Sequence, residues 1–226
     1  MAGSELARIL EVELMDTSAE ADGYDAMDHS VVNARFVADF LAEHGSSRGG
    51  WYIDIGTGTA LIPLVLAMAD RKARIIALDG ASHMLKVASQ HISAARLQDR
   101  ILVLRQDAKR IESEDGQFEA VISNSIVHHI PEPTAAIREM IRILMPGGTL
   151  FVRDLARPTD ARRLSEIVEK YAADAPPIAK AMFSESLHAA LTTTEVADIV
   201  KPMGLPGSTV AMTSDRHWTL VWRKPF

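Results

Sequence analysis

A strand that runs straight into a glycine-rich turn, Trp51-Tyr-Ile-Asp-Ile-Gly-Thr-Gly-Thr-Ala60, constrains this chain more than any other segment. Tyr52, Ile53 and Ile55 favour an extended backbone, and the apolar run over residues 60–67 reads as the helix that leaves the turn. Gly56 and Gly58 let the backbone pass close to a ligand with no Cβ in the way, and the helix start offers unpaired N–H groups. The arrangement implies a nucleotide-type pocket. Taken alone, the glycine pair equally fits any tight strand-to-helix turn of an α/β protein.

Two further strand ends narrow the choice. A dinucleotide fingerprint needs a third glycine three residues after the second, and that position here is Leu61. The second strand, residues 73–78, delivers Asp79, where an acidic side chain can accept hydrogen bonds from both hydroxyls of a ribose. Met84 and Leu85 open the next helix. A third strand over residues 101–104 leads to Gln106-Asp107-Ala108. Asp107 on its own reads equally as a loop carboxylate or a helix cap.

In this register the chain resembles the class I S-adenosylmethionine (SAM)-dependent methyltransferases, with Asp54-x-Gly56-x-Gly58 similar to their first motif. The resemblance implies that Gly56 and Gly58 take the amino-acid and sulfonium end of SAM while Asp54 supports the turn. It implies that Asp79 and Gly80 meet the ribose, Met84 and Ala108 lie beside the adenine, and Asp107 binds its amino group. Asn124 completes the implied cofactor set. The implied product is S-adenosylhomocysteine, and no metal is implied. The resemblance covers residues 50–155 well and the final hairpin moderately, and hardly constrains what flanks them.

Composition adds limits. The 226 residues suffice for one α/β domain with a full core and a small lobe. A formal net charge of −6 argues against a large nucleic-acid footprint. The absence of cysteine excludes disulfides and thiolate metal sites. No apolar run approaches membrane-spanning length, and the first eight residues lack a signal-peptide core, so a soluble cytoplasmic protein without membrane partners is expected.

Strands and helices alternate along the rest of the chain. A fourth strand spans residues 118–123, and Ile137, Met140, Ile141 and Leu144 mark one helical face. Pro146-Gly-Gly148 then turns into a fifth strand over residues 149–152. This predicts an α/β fold: a Rossmann-like three-layer sandwich with a mainly parallel sheet covered by helices on both faces. The resemblance implies seven strands, with a reversed last strand inserted between the fifth and sixth. The expected organisation is an N-terminal helical lid (1–47), a SAM-binding core (48–156), and a helical insert with a final β-hairpin (157–226) completing the same domain. Thr192-x-x-Glu195 is a capping-box signature within that insert.

Ligands of open α/β sheets bind beyond the carboxyl ends of the strands. His128 and His129 follow strand four, Arg153 and Asp154 end strand five, and Arg216 and His217 occupy the last loop. Tyr24, His29 and Asn33 can close the site from the N-terminal helices. Methyl transfer needs alignment, desolvation and, for an OH or NH acceptor, proton removal, for which a histidine is well matched. His128 and His129 are the catalytic candidates; Tyr24, His29, Arg153, Arg216 and His217 are the substrate-binding candidates. The bland counterpart for the histidine pair is hydrogen bonding or pocket lining. No further ligand stands at metal spacing beside the pair, which argues against zinc. Nucleic-acid amino-methyltransferases of the family carry Asn/Asp-Pro-Pro-Tyr/Phe where this chain has Asn124-Ser125-Ile126-Val127, with no aromatic to stack a flipped base. The reading favours a small-molecule acceptor, anionic if Arg153 and Arg216 escape pairing with Asp154 and Asp215. The alternatives are a methyltransferase acting on tRNA or protein, and a catalytically silent SAM-binding scaffold.

Overall fold

The computed structural model describes residues 6–226; residues 1–5 of the expected N-terminal lid lie outside them. Two helices come first, α1 (Ser18–Asp25) and α2 (Ser30–His44). A βα alternation follows: β1 (Trp51–Ile55), α3 (Leu61–Ala69), β2 (Arg74–Asp79), α4 (Ser82–Ala94), β3 (Ile101–Arg105), β4 (Phe118–Asn124), α5 (Pro133–Ile143) and β5 (Leu144–Leu155). Three helices, α6 (Ala161–Ala172), α7 (Pro177–Ala189) and α8 (Thr193–Val200), then precede the hairpin β6 (Val210–Met212) and β7 (His217–Arg223).

The seven strands form one sheet in the order β3-β2-β1-β4-β5-β7-β6. Strands β1 and β2, β1 and β4, and β2 and β3 pair in parallel; β6 and β7 pair antiparallel. This is the Rossmann-like order, with β7 set between β5 and β6. The parallel pairs β1–β2 and β2–β3 need crossovers, and α3 and α4 supply them; β3 reaches β4 through a loop without a helix.

By internal contacts the chain forms two compact units, neither continuous in sequence. One comprises Leu14–Asn124, Thr134–Val152 and Val221–Phe226; the other comprises Met1–Glu13, Ser125–Pro133 and Arg153–Leu220. In the first, Phe36, Phe40, Tyr52, Leu66, Ile75, Ile122 and Phe151 build the main core. Phe40 meets Tyr52 and Phe151 edge-on, an arrangement that favours aromatic pairs. At the entry to β1, the buried Glu119 carboxylate on β4 accepts N–H bonds from Arg48 (2.8 Å) and Gly50 (2.7 Å). It is also 3.2 Å from His44 Nε2. Those donors outweigh burial and hold its pKa below the usual range, so a buried charge fixes the register of the linker. In the second unit, Leu155, Leu164, Ile167, Val168, Leu187 and Ala190 form the core.

Three expectations need correction. Residues 6–17 form no helix. Leu6 and Ile9 donate their N–H groups to the Thr159 and His188 carbonyls instead of to their own chain four residues back. Strand β5 takes in Pro146-Gly147-Gly148, because Gly147 N–H donates to the Lys224 carbonyl and Lys224 N–H to that of Gly148. It also runs on to Leu155, which makes Arg153 and Asp154 strand residues rather than loop charges. By contrast, Thr192 and Glu195 make the anticipated capping box.

Two glycines give opposite expected outcomes. A Cβ on Gly148 would sit 2.7 Å from Leu144 Cδ1, 2.8 Å from the Met145 carbonyl oxygen and 2.9 Å from that of Glu119. Two of those atoms are backbone and cannot swing away, so Gly148→Ala should cost about 1–3 kcal/mol in a urea melt. Gly23, inside α1, has nothing within 4 Å of the same position, and Gly23→Ala should stabilise by about 0.5–1 kcal/mol.

Candidate active site

In the first unit the chain leaves β1 through a turn held on the end of β2. Gly56 and Thr57 both donate N–H bonds to the Leu78 carbonyl, at 2.8 and 2.9 Å. Gly56 and Gly58 have φ of 74° and 54°, the left-handed region that glycine enters without a Cβ penalty. Asp79 then clamps the turn: one carboxylate oxygen accepts from Gly58 N–H and the other from Ala81 N–H, both at 2.8 Å. Each oxygen keeps a further lone pair for a hydroxyl.

Asp54 lies beneath this turn, fully buried, with Thr57 Oγ1 donating to it at 2.7 Å. Burial raises its pKa to about 7, opposed by the Thr57 bond and reinforced by the charge of Asp79. Burial also raises Asp79, against the pull of its backbone donors. The cradle therefore concentrates negative potential where a cation could relieve it. In the free protein, Asp54 costs stability progressively as pH rises from the ordinary carboxylate range through about 7.

The N-terminal segment closes over the cradle. Tyr24 Cε1 lies 3.6 Å from where a Cβ on Gly58 would stand, and Leu14 Cδ2 lies 3.0 Å from the same position on Gly80. Tyr24 joins Ala21, Ala81 and Met84 in a small apolar cluster. Burial, then the charges of Asp54 and Asp79, push its phenol pKa up to about 12. His29 stacks on Tyr24 with ring centroids 4.6 Å apart. Asp16 caps α4 by accepting from His83 N–H at 2.9 Å, and Asp25 sits 3.1 Å from His91 Nε2. Of the remaining expected cofactor residues, Asn124 is half-buried at the end of β4 and Ala108 is half-buried after β3. Asp107 is exposed, 2.8 Å from Lys109 N–H and 3.0 Å from its ammonium.

The second unit gathers the histidines. The segment after β4 bends at Ser125, φ 58°, and winds into a short 3₁₀ turn, Val127–His129. Asp154, fully buried on β5, accepts the N–H groups of Val127 (2.6 Å) and His128 (3.2 Å) and contacts His128 Nδ1 at 2.5 Å. Burial opposes the charge on both members of this pair. The imidazolium nevertheless holds Asp154 low, and Asp154 with Glu11 holds His128 high. Burial and the neighbouring His128 charge push His129 down to about 4. Glu11 reaches both rings: its Oε1 lies 3.3 Å from His128 Nε2 and 3.1 Å from His129 Nδ1. Arg8 donates to the His128 and Ile130 carbonyls at 3.2 and 3.1 Å. Sequence reasoning missed Glu11 and Arg8, since nothing local links residues 8–11 to residues 128–130.

The last loop is occupied with itself. Arg216 lies 3.4 Å from the centroid of the Tyr171 ring and 3.8 Å from Asp215, which also accepts from Lys170 and the Tyr171 hydroxyl at 2.7 Å. His217 Nδ1 is 2.9 Å from Ser214 Oγ, and burial with Arg216 and Arg153 nearby pushes its pKa down to about 4. Arg153 Nε donates to Thr219 at 2.9 Å.

Comparison with known proteins identifies the domain and the fold. Residues 53–152 match the family model described as a methyltransferase domain. The ubiquinone biosynthesis O-methyltransferase of Xanthomonas campestris pv. campestris (strain B100) is 33% identical over 155 residues, 68% of this chain and 62% of that protein. The chain thus aligns with less than two thirds of the length of these curated relatives. Among solved structures, a protein of Methanococcus maripaludis proposed to be a SAM-dependent methyltransferase superposes with TM-score 0.72 at 21% identity, covering 96% of this chain and 98% of that one. A Haemonchus contortus phosphoethanolamine N-methyltransferase 2 in complex with SAM superposes with TM-score 0.65 at 18% identity, covering 83% and 41%. At such identities the superpositions speak for the fold. The chain belongs to the class I SAM-dependent methyltransferase superfamily.

If Asp79 anchors both the turn and a ribose, Asp79→Ala removes charge-assisted hydrogen bonds worth about 1.5–3 kcal/mol each. SAM affinity should fall at least about tenfold by isothermal titration, with the circular dichroism spectrum retained. Unchanged affinity in the folded variant would remove the ribose assignment.

Proposed function

We propose that the protein binds SAM in the cradle of Asp54, Gly56, Gly58 and Asp79 and transfers its methyl group to a hydroxyl of a small-molecule acceptor. The observation that carries the cofactor half is the Asp79 clamp, which holds a glycine turn open for close backbone approach and keeps carboxylate lone pairs for a ribose. The paired, buried Asp54 supports a cationic ligand in particular. A sulfonium and an ammonium would offset a cluster that now drives one carboxylate toward neutrality.

The acceptor half draws support from the O-methyltransferase relatives and from the absence of a Pro-Pro-aromatic motif after β4. The chemistry required of the chain is alignment, exclusion of water and removal of the hydroxyl proton. Arg216, already engaged with Tyr171 and Asp215, gives an anionic acceptor no support. Among the described residues no helix is long and apolar enough to cross a membrane.

A screen for transfer of labelled methyl from SAM to phenolic and catecholic metabolites, with tRNA and protein as parallel pools, tests the acceptor class. Labelling confined to tRNA or protein would overturn the small-molecule reading, and SAM binding without transfer to any pool would leave a silent binder.

The cofactor reading has a pH signature. In the free protein Asp54 loses its proton near pH 7, and a bound cation favours the carboxylate, so binding releases a proton below that pH. SAM affinity should rise as pH is raised from about 5.5 through about 7 and then level off. Asp54→Asn should flatten that rise; an identical slope in the variant would show that another group governs it.

A further inference from the structure

The cluster in the second unit has the composition and spacing of a metal site. Glu11, His128 and His129 each offer a ligand atom, all within 4.8 Å of one another. We propose that Glu11 Oε1, His128 Nε2 and His129 Nδ1 bind one divalent first-row transition ion of the Zn²⁺ type.

Three independent features support it. The first is spacing. In a tetrahedral site with bonds of about 2.1 Å, neighbouring ligand atoms stand about 3.4 Å apart. Glu11 Oε1 is 3.3 Å from His128 Nε2 and 3.1 Å from His129 Nδ1. The two histidine nitrogens lie within 4.8 Å of one another, and any excess over the tetrahedral edge is the adjustment an ion would need.

The second is an orphaned acceptor. Glu11 Oε1 is buried yet makes no hydrogen bond of acceptable geometry, even with two imidazole nitrogens beside it. Its other oxygen is held by Ser186 Oγ at 3.2 Å. A buried carboxylate oxygen left without a donor is costly, and a cation supplies what the nitrogens do not.

The third is orientation from behind. Asp154 takes Nδ1 of His128, which fixes the ring and turns Nε2 toward Glu11. A carboxylate behind a ligating histidine is the usual outer partner of a protein-bound zinc ion, setting the tautomer and raising basicity. Asp154 is itself held by the Val127, His128 and Leu155 N–H groups, so the orientation is rigid. The opposing contact, from His129 Nδ1 to the Val12 carbonyl, is long at 3.4 Å and is given up when that nitrogen takes the ion.

Two nitrogens and one carboxylate oxygen leave coordination positions open, as in catalytic zinc sites, and these would accept water or a hydroxyl oxygen. The methyl-transfer reading is not needed for the site to bind its ion, and the test reads binding alone.

The full chain, stripped with a chelator, is titrated with Zn²⁺ against a chromophoric zinc chelator, and separately with Co²⁺ while visible absorption is recorded. The expected result is one Zn²⁺ per chain at submicromolar Kd. Co²⁺ should show the visible bands of a low-coordinate nitrogen and oxygen site. Glu11→Gln should weaken Zn²⁺ at least about tenfold, and Asp154→Asn, a positioning change, about 10–100-fold. Circular dichroism and SAM titration on each variant verify the fold. Because Asp154 is deeply buried, Glu11→Gln at a partly buried position decides the matter if Asp154→Asn fails to fold. The absence of stoichiometric Zn²⁺ binding in the wild-type chain would overturn the proposal and leave an ion-pair network. Equal affinity in Glu11→Gln would overturn it as surface histidine binding.

Discussion

The bond from Gly58 N–H to the Asp79 carboxylate is the constraint on which the cofactor cradle depends. A glycine turn with two positive φ values has no regular hydrogen-bond ladder of its own, so its donors must be taken from elsewhere. Leu78 takes two of them through its carbonyl and Asp79 a third, and all the acceptors lie on the last two residues of β2. The parallel register of β1 on β2, Ile55 opposite Leu78, brings them within reach. Pairing, turn and ligand site are thus one arrangement. A slip of one residue would carry the Asp79 side chain to the opposite face of the sheet. The same arrangement concentrates charge, because Asp54 sits one residue before the end of β1 and is desolvated beneath the turn it supports. The turn therefore carries a cost in the free protein, a desolvated carboxylate, that a bound cation would reduce.

Much of this was legible in the sequence because it is local. Strand β1, its turn and α3 lie within twenty residues, and the amino-acid types alone specify each conformation. Asp79 and the capping box at Thr192 and Glu195 were readable for the same reason. Less legible were features that depend on distant partners. The N-terminal stretch reads as helix by composition, but Leu6 and Ile9 find their acceptors on Thr159 and His188, and a helix cannot form while those donors point elsewhere. Strand β5 extends at both ends of its readable core. Lys224 pairs with the Pro-Gly-Gly segment at one end, and at the other Asp154 finds buried donors that make a charge tolerable inside a strand. A charged Arg153–Asp154 pair looks like loop until those donors are known.

The histidine pair shows the limit most sharply. Adjacent histidines suggest a base or a ligand, and only the fold decides what stands around them. Glu11 comes from a segment with no motif, and its approach to both rings changes the pair from two isolated imidazoles into a three-ligand cluster with Asp154 behind it. The two histidines also behave oppositely. One carboxylate behind His128 and another before it make its charged form favourable, whereas His129, partly buried and next to that charge, stays neutral. Neighbouring positions of the same residue type thus acquire different chemistry from environment alone.

The electrostatics of the last loop bear on the acceptor. Arg216 is one of the two cations the sequence offers for an anionic acceptor, which would need it free. Its guanidinium carbon instead lies 3.4 Å from the centroid of the Tyr171 ring, whose hydroxyl bonds to Asp215, and Asp215 in turn holds Lys170. The ring and the shared carboxylate engage both sides of the guanidinium's chemistry, its cation–π attraction and its ion pairing. Removing Arg216 to greet a substrate would break the stack and leave Asp215 with fewer partners, a penalty a single carboxylate on the acceptor would first have to offset. Held by one aromatic ring and one carboxylate, Arg216 is committed to contacts within its own unit.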